Sequence, residues 1–348
     1  MSHYERSLDE RKAAVLRAIV SHYISSGEPA GSKTIASRSR LGVSAATIRN
    51  DMAALEEAGY VYHPHTSAGR IPTDAGYRYF VDAWGSDGKV SAAVARSIES
   101  FFGEPRWELE ESLRQTAAFL STVTDHAAVV FAPSLGPSTV RHVEIVSLGA
   151  ERAMLVLVTD TGLVENYVIA IPEDLDESEL QQLAGTLNRL VVGCPLADAG
   201  ETVEASLHQL PVELREIVGT IIKTLKIELG RREAEHVFLE GTSNIVDEDK
   251  FADLETVRQV IGVLEHRRVL LEVLADGLGA GDVSVRIGSE NLLAEMRACS
   301  VIAAPYGVDD HTLGSLGIVG PTRMDYGRTI AAVHEVARNL GRMLAELT

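Results

Sequence analysis

Apolar positions near the start of the chain recur at helical spacing. Leu16, Ile19, Val20, Tyr23 and Ile24 fall on one face, and Ser7-Leu8-Asp9-Glu10 ahead of them fits a capping box with Ser7 as the cap. Gly27, Pro29 and Gly31 close that helix. Ser32 is placed to cap a short helix from Lys33 to about Arg40, with Ile35 and Ala36 turned inward. Leu41-Gly42-Val43 is a tight link in which Gly42 supplies the freedom a sharp turn needs. Ser44 caps a third helix that runs to about Ala58 and is ended by Gly59. At about 100° per residue, Ile48, Met52 and Leu55 of that helix share a face that must be buried. Ala46 and Asn50 then point the other way, flanked by Thr47 and Arg49. Tyr60-Val61-Tyr62 and the stretch around Arg70-Ile71 can pair as strands about a polar tip ending in Gly69, and Thr73 can cap a helix from Asp74 to about Trp84.

Beyond Gly85-Ser86-Asp87-Gly88, a linker by composition, helical patterns cover about 91–102 and 107–123. Strand-like runs follow at 127–132, 140–148, 153–159 and 163–171, the last two flanking the hairpin signal Asp160-Thr161-Gly162. From Pro172 to about Asp276 the pattern is mainly helical: Leu180, Leu183, Leu187 and Leu190 share a face, Pro211 can open a further helix, and a long periodic run covers 250–275. Strand signals return at 283–287, 300–304 and around 316–319. An amphipathic helix carrying Ile330, Val333, Ala337, Leu340, Leu344 and Leu347 closes the chain. The pattern predicts a multidomain α+β protein in which an α/β domain is interrupted by a mainly helical insertion.

A short helix, a three-residue turn with glycine and a second capped helix make a helix-turn-helix, and the hairpin after it makes the motif winged. In that motif the second helix enters the major groove of DNA and reads base edges from its N-terminal part. The exposed residues suit the groove: Asn pairs with adenine, Arg with guanine or phosphate, and the methyls of Ala and Thr meet that of thymine. The candidate DNA contacts are Ser44, Ala46, Thr47, Arg49 and Asn50 of the helix and its cap, with His65, Thr66 and Arg70 of the hairpin. Taken alone, the helix could equally be a solvated face with one Arg and one Asn. His63 and His65 could share a metal, but no third ligand is near and Pro64 suits a turn.

Charge adds to this picture. The 348 residues carry a net charge of −18, yet residues 1–84 hold 10 Lys/Arg against 9 Asp/Glu, and all the acidity lies behind them. Such asymmetry points weakly to nucleic acid. The two cysteines, Cys194 and Cys299, exclude a disulfide scaffold and a Cys-only metal site, and sit in apolar surroundings that mark them as core residues. No apolar run approaches ~18 residues, and the charged N-terminus has no apolar stretch of a signal peptide behind it, so a cytoplasmic protein without a membrane span is expected.

The stretches Thr47-Ile48-Arg49-Asn50-Asp51-Met52, Leu55-Glu56-Glu57 and Pro64-His65-Thr66-Ser67-Ala68-Gly69-Arg70-Ile71-Pro72-Thr73 resemble the HrcA family of heat-inducible transcription repressors. The resemblance continues in Ile287-Gly288-Ser289-Glu290-Asn291, Ala304-Pro305-Tyr306 and residues 317–326, and is one of texture only over 173–276. It implies a winged helix-turn-helix over 1–84, a GAF-like domain formed by 85–172 and 277–348, and an inserted dimerisation domain over 173–276. It also implies a homodimer that binds the CIRCE inverted repeat upstream of chaperonin operons, kept active by the chaperonin GroEL.

No phosphate-binding loop, His-Glu-x-x-His, Gly-x-Ser-x-Gly or Cys-x-x-Cys occurs, and no cofactor or metal site is predicted, so the chain does not read as an enzyme. Gly277-Leu278-Gly279-Ala280-Gly281-Asp282 has Asp where a dinucleotide fingerprint needs its third glycine, and a flexible turn explains it better. Arg323, Asp325 and Tyr326 fit a polar loop in which Asp325 starts the last helix. The rival function is a metabolite-responsive regulator whose GAF-like domain holds a small effector, though fold alone does not establish a ligand.

Overall fold

A computed structural model describes residues 8–39, 41–65, 68–85, 88–103, 109–132, 139–149, 151–160, 162, 164–172, 175–209, 214–215, 217–225, 237–245, 254–265, 270, 283–308 and 311–347. The fold mixes helix and sheet, and the chain divides into two compact units. The first comprises Met1–Val130, Leu239–Tyr306 and Ser315–Leu340; the second comprises Phe131–Phe238, Gly307–Gly314 and Gly341–Thr348.

The first unit begins with helix α1 (Glu10–Ser26), α2 (Ser32–Arg38) and α3 (Ala45–Glu57). Asp9 caps α1 by accepting from the Lys12 amide, two residues beyond the expected cap; Ser7 lies outside the described residues. Helix α2 starts at Ser32 itself, after Gly31, with no side-chain cap. Both α1 and α2 pack on α3, and Val15, Leu16, Ile19, Ile35, Ile48 and Leu55 are fully buried among them. Strands β1 (Val61–Tyr62) and β2 (Ile71–Pro72) pair antiparallel, and Thr73 caps α4 (Asp74–Trp84) through the Gly76 amide. Helices α5 (Ala92–Phe102) and α6 (Leu109–Thr124) follow.

A five-stranded sheet joins segments far apart in sequence. Its strands are β3 (Ala127–Phe131), β7 (Val237–Glu240), β8 (Ser284–Ile287), β9 (Cys299–Val308) and β10 (His311–Pro321), in the order β7-β3-β10-β9-β8. Every residue of β3 is buried, as a central strand covered on both faces requires. Asn291, in the loop after β8, donates to the carbonyls of Gly288, Met296 and Cys299 and so closes that loop from inside. Asp325 caps the closing helix Tyr326–Leu347 through the Arg328 amide at 3.2 Å, as the sequence suggested, while the Tyr326 hydroxyl donates to the Thr322 carbonyl and accepts from Ser300.

The second unit is built on β4 (Val140–Gly149), β5 (Arg152–Thr159) and β6 (Val164–Ala170), an antiparallel three-stranded sheet, with α7 (Glu177–Val191) and α8 (Ala199–Ser206). One core holds Val143, Ile145, Leu155, Leu157, Tyr167 and Ile169 of the sheet with Leu180, Leu183 and Leu187 of α7 and Val218 and Ile221 of the helical residues 217–225. Asn188 docks α7 on β4, giving 2.6 Å to the Val143 carbonyl and taking the Val143 amide at 2.9 Å.

This division differs from the expected one. Strands β4–β6, read as part of the 85–172 portion of the α/β domain, share a core with the helices that follow them. Strand β7, inside the stretch 173–276 read as mainly helical, joins the five-stranded sheet. Alternation along β4–β6 shows that one face is buried but not which helices bury it, and a four-residue strand leaves almost no periodic signal. Pro211, the long run beyond Glu265 and the 277–282 glycine turn fall outside the described residues, apart from residue 270.

Candidate nucleic-acid interface

Helix α3 follows α2 across a turn in which Gly42 stands at φ +66°. Ser44 accepts the Thr47 amide at 3.2 Å, and the two hydroxyls lie 3.0 Å apart, so both side chains are held at the helix start. Ile48, Met52 and Leu55 are buried, and Ala46, Arg49 and Asn50 are exposed on the remaining surface. Arg49 makes no ion pair among the described residues and stands exposed beside the exposed amide of Asn50. The orientation of α3 is set from below: buried Asp51 accepts two hydrogen bonds from Arg11 of α1, at 2.9 and 3.0 Å. Sequence periodicity identified the outer face but missed this inner anchor, because Asp51 looks like another polar surface residue.

The hairpin rises directly behind α3, with the Tyr60 amide bonded to the Leu55 carbonyl. Val61 faces Pro72 and Tyr62 faces Ile71 in the ladder. His65 is exposed near the tip; Thr66 and Ser67 lie outside the described residues. Arg70, a candidate DNA contact, is turned inward. Its Nη2 lies 2.9 Å from Glu56 Oε2, and its side chain is only 14 % exposed. Glu56 Oε1 accepts from His63 Nδ1 at 2.8 Å, which ties His63 at the base of the hairpin to the last turn of α3. Glu56 is the residue that sequence reasoning passed over. A signal for it existed, since continuing the ladder by one pair sets His63 opposite Arg70 and brings two nitrogen-bearing side chains to one side of the hairpin base.

Among the described residues the exposed helix face, the hairpin and their anchors lie in one short segment, and none of them forms a group of three or more acidic, His or Cys side chains that could hold a metal. No helix among those residues is long and apolar enough to cross a membrane. Cys299 is buried and its thiol pKa is pushed up to about 12 by burial, while Cys194 is half-buried and raised for the same first reason.

Comparison with known proteins agrees with the resemblance carried by these residues. The signature described as the HrcA protein C terminal domain matches residues 110–330. A heat-inducible transcription repressor HrcA of Thermobifida fusca (strain YX) is 45 % identical over 97 % of both chains. The repressor of the same name from Parafrankia sp. (strain EAN1pec) is 44 % identical over 97 % of this chain and 99 % of its own. A solved structure described only as that of a hypothetical protein superimposes with a TM-score of 0.66 at 23 % identity, covering 98 % of this chain and 100 % of the other, which shows a shared fold. The class defined by these matches is that of transcription repressors. Within it, the chain belongs to the HrcA family, the heat-inducible transcription repressors.

Proposed function

We propose that this protein represses chaperonin operons by binding, as a homodimer, the CIRCE inverted repeat, and that the chaperonin GroEL modulates its activity. Residues 1–84 act as a winged helix-turn-helix, with α3 as the recognition helix and the β1–β2 hairpin as the wing. The single observation that carries this is the split of α3 into a buried face of Ile48, Met52 and Leu55 and an open face of Ala46, Arg49 and Asn50. Asn50 and Arg49 supply base or phosphate contacts, Ala46 and Thr47 offer methyls, Ser44 holds the helix N-terminus toward a phosphate, and His65 and Thr66 approach the backbone from the wing. The five-stranded sheet serves as the GAF-like core. Unit two supplies the dimer contact, and a two-fold dimer matches an inverted repeat with half-sites separated by whole turns of about 10 bp. As a regulator of transcription it works in the cytoplasm. A gel shift with a CIRCE duplex and a scrambled duplex of equal length tests the proposal: a shift confined to the first supports it, and equal binding to both rejects it.

A second reading keeps the DNA-binding head and makes the first unit an effector receptor. It is favoured by a cavity of about 690 Å³ lined by Arg78, Lys89, Val285, Ile330 and His334, among others. Thermal unfolding in a metabolite panel, set beside unfolding with GroEL, separates the two: a stabilising metabolite without a chaperonin effect favours the receptor.

A further inference from the structure

The return limb of the wing is held at two points. In the backbone, the Arg70 amide donates to the Ala30 carbonyl at 2.9 Å and the Ala30 amide donates to the Arg70 carbonyl at 2.8 Å. A Cβ on Gly69 would stand 2.4 Å from the Ala30 carbonyl carbon, so this approach requires a residue without one. In the side chains, Arg70 Nη2 meets Glu56 Oε2 at 2.9 Å. His63 Nδ1 donates to Glu56 Oε1, which leaves Nε2 of a neutral ring as the acceptor for Arg70 Nη1. One carboxylate in the last turn of α3 therefore grips the outward limb through His63 and the return limb through Arg70.

A cation that serves DNA phosphate gains most when it is exposed and unneutralised. Arg70 has the opposite setting: it is largely covered, its Nε is buried without a partner among the described residues, and an acidic group faces it. Glu56 is equally out of place on other grounds. A carboxylate near a helix C-terminus opposes the helix dipole, and one beside DNA repels phosphate. Both positions make sense when the two residues serve each other.

We propose that Glu56 and Arg70 are positioning residues, forming with His63 a latch that sets the angle of the wing to α3, and that Arg70 does not bind phosphate. The proposal rests on the reading of residues 1–84 as a winged DNA-binding head, so its test has one arm without DNA. In that arm, amide hydrogen exchange over 60–73 is measured in the full-length wild type, Glu56→Gln and Arg70→Gln. Both variants are expected to exchange roughly tenfold faster there, with the rest of the chain unchanged. Wild-type exchange in both overturns the latch whatever the DNA result.

In the second arm, anisotropy of fluorescein-labelled CIRCE and scrambled duplexes is followed over a salt series. Each single variant is expected to weaken CIRCE binding about fivefold, and the double variant no further than the worse single one. The slope of log Kd against log salt should hold. Arg70→Lys, which keeps the charge but loses the planar fork, should behave as Arg70→Gln. A slope smaller by about one unit in Arg70→Gln, restored by Arg70→Lys, with Glu56→Gln binding as well as wild type, overturns the proposal in favour of a phosphate contact. A wild type without preference for CIRCE rejects the operator reading, while the exchange arm still decides the latch.

Discussion

Arg78 on α4 grips Glu290, 212 positions further along the chain, through two hydrogen bonds of 2.7 and 2.5 Å. The same guanidinium donates to the Val285 carbonyl at 2.6 Å and to Asp82 at 3.1 Å, so four acceptors from two distant segments meet on one planar group. Its pKa is raised above that of an ordinary arginine, first by the hydrogen bonds it donates to Glu290. One turn earlier on α4, Asp74 Oδ2 accepts the Ser289 amide at 2.8 Å. These bonds fasten the helix behind the hairpin to the edge strand of the five-stranded sheet.

That fork predicts how substitutions at Arg78 behave. Arg78→Ala should cost about 1–2 kcal/mol, the range for charge-assisted bonds on a partly exposed pair. Arg78→Lys should lose nearly as much, because an ammonium lacks the planar fork that holds both Glu290 oxygens while also reaching Val285. Thermal unfolding of both variants checks this; a lysine variant with wild-type stability would show that charge alone suffices.

Gly76, inside α4, should resist the usual gain from alanine. Alanine is the better helix former by about 1 kcal/mol. Here, however, a Cβ would lie 2.1 Å from the Tyr60 carbonyl oxygen, a backbone atom that accepts the Thr73 amide and cannot yield cheaply. Gly76→Ala is therefore expected to lower the unfolding temperature. A rise in that temperature would mean that Tyr60 moves freely.

Asn50→Ala and Arg49→Ala should weaken operator binding by roughly 1–3 kcal/mol each while leaving the fold intact, because both lie opposite the buried face of α3. Fluorescence anisotropy with the CIRCE duplex, alongside circular dichroism, measures the two effects separately. Wild-type affinity in both variants would remove α3 from the groove.

The outer face of the β4–β6 sheet carries Val146, Val164 and Val168 at 43 %, 54 % and 61 % exposure, with Val146 and Val168 both lined up on Met154. An exposed apolar patch of this kind is where the proposed homodimer would close. Val168→Lys with Val146→Lys should give a folded monomer by light scattering at micromolar concentration and abolish tight operator binding. A dimer that persists in that variant places the contact elsewhere.

Cys299, whose thiol is pushed up to about 12 by burial, should carry almost no thiolate at pH 8. Cys194, half-buried and also raised, should react slowly. A disulfide reagent added to native protein at pH 8 should therefore modify Cys194 first and Cys299 only after denaturant is added. Rapid modification of Cys299 in the native state would show that its strand opens.

Local grammar in the sequence was enough to place the helices of the first 84 residues, because a cap, an amphipathic stripe and a glycine stop are all decided within one or two turns. Ser44, Thr73 and the buried trio Ile48, Met52 and Leu55 stand where periodicity placed them. The same holds for the strands β4–β6 and for Asp325 at the start of the last helix. Partnership between segments was another matter. The hairpin ladder, continued by one pair, sets His63 opposite Arg70, but nothing local to Glu56 tells that its carboxylate reaches both, or that Arg70 faces inward. Nothing near Arg78 announces Glu290, and a strand as short as β7 shows no period to read. Secondary structure is written in neighbours along the chain, whereas ion pairs, sheet order and the choice of which helices cover a sheet depend on residues brought together only after the chain has folded.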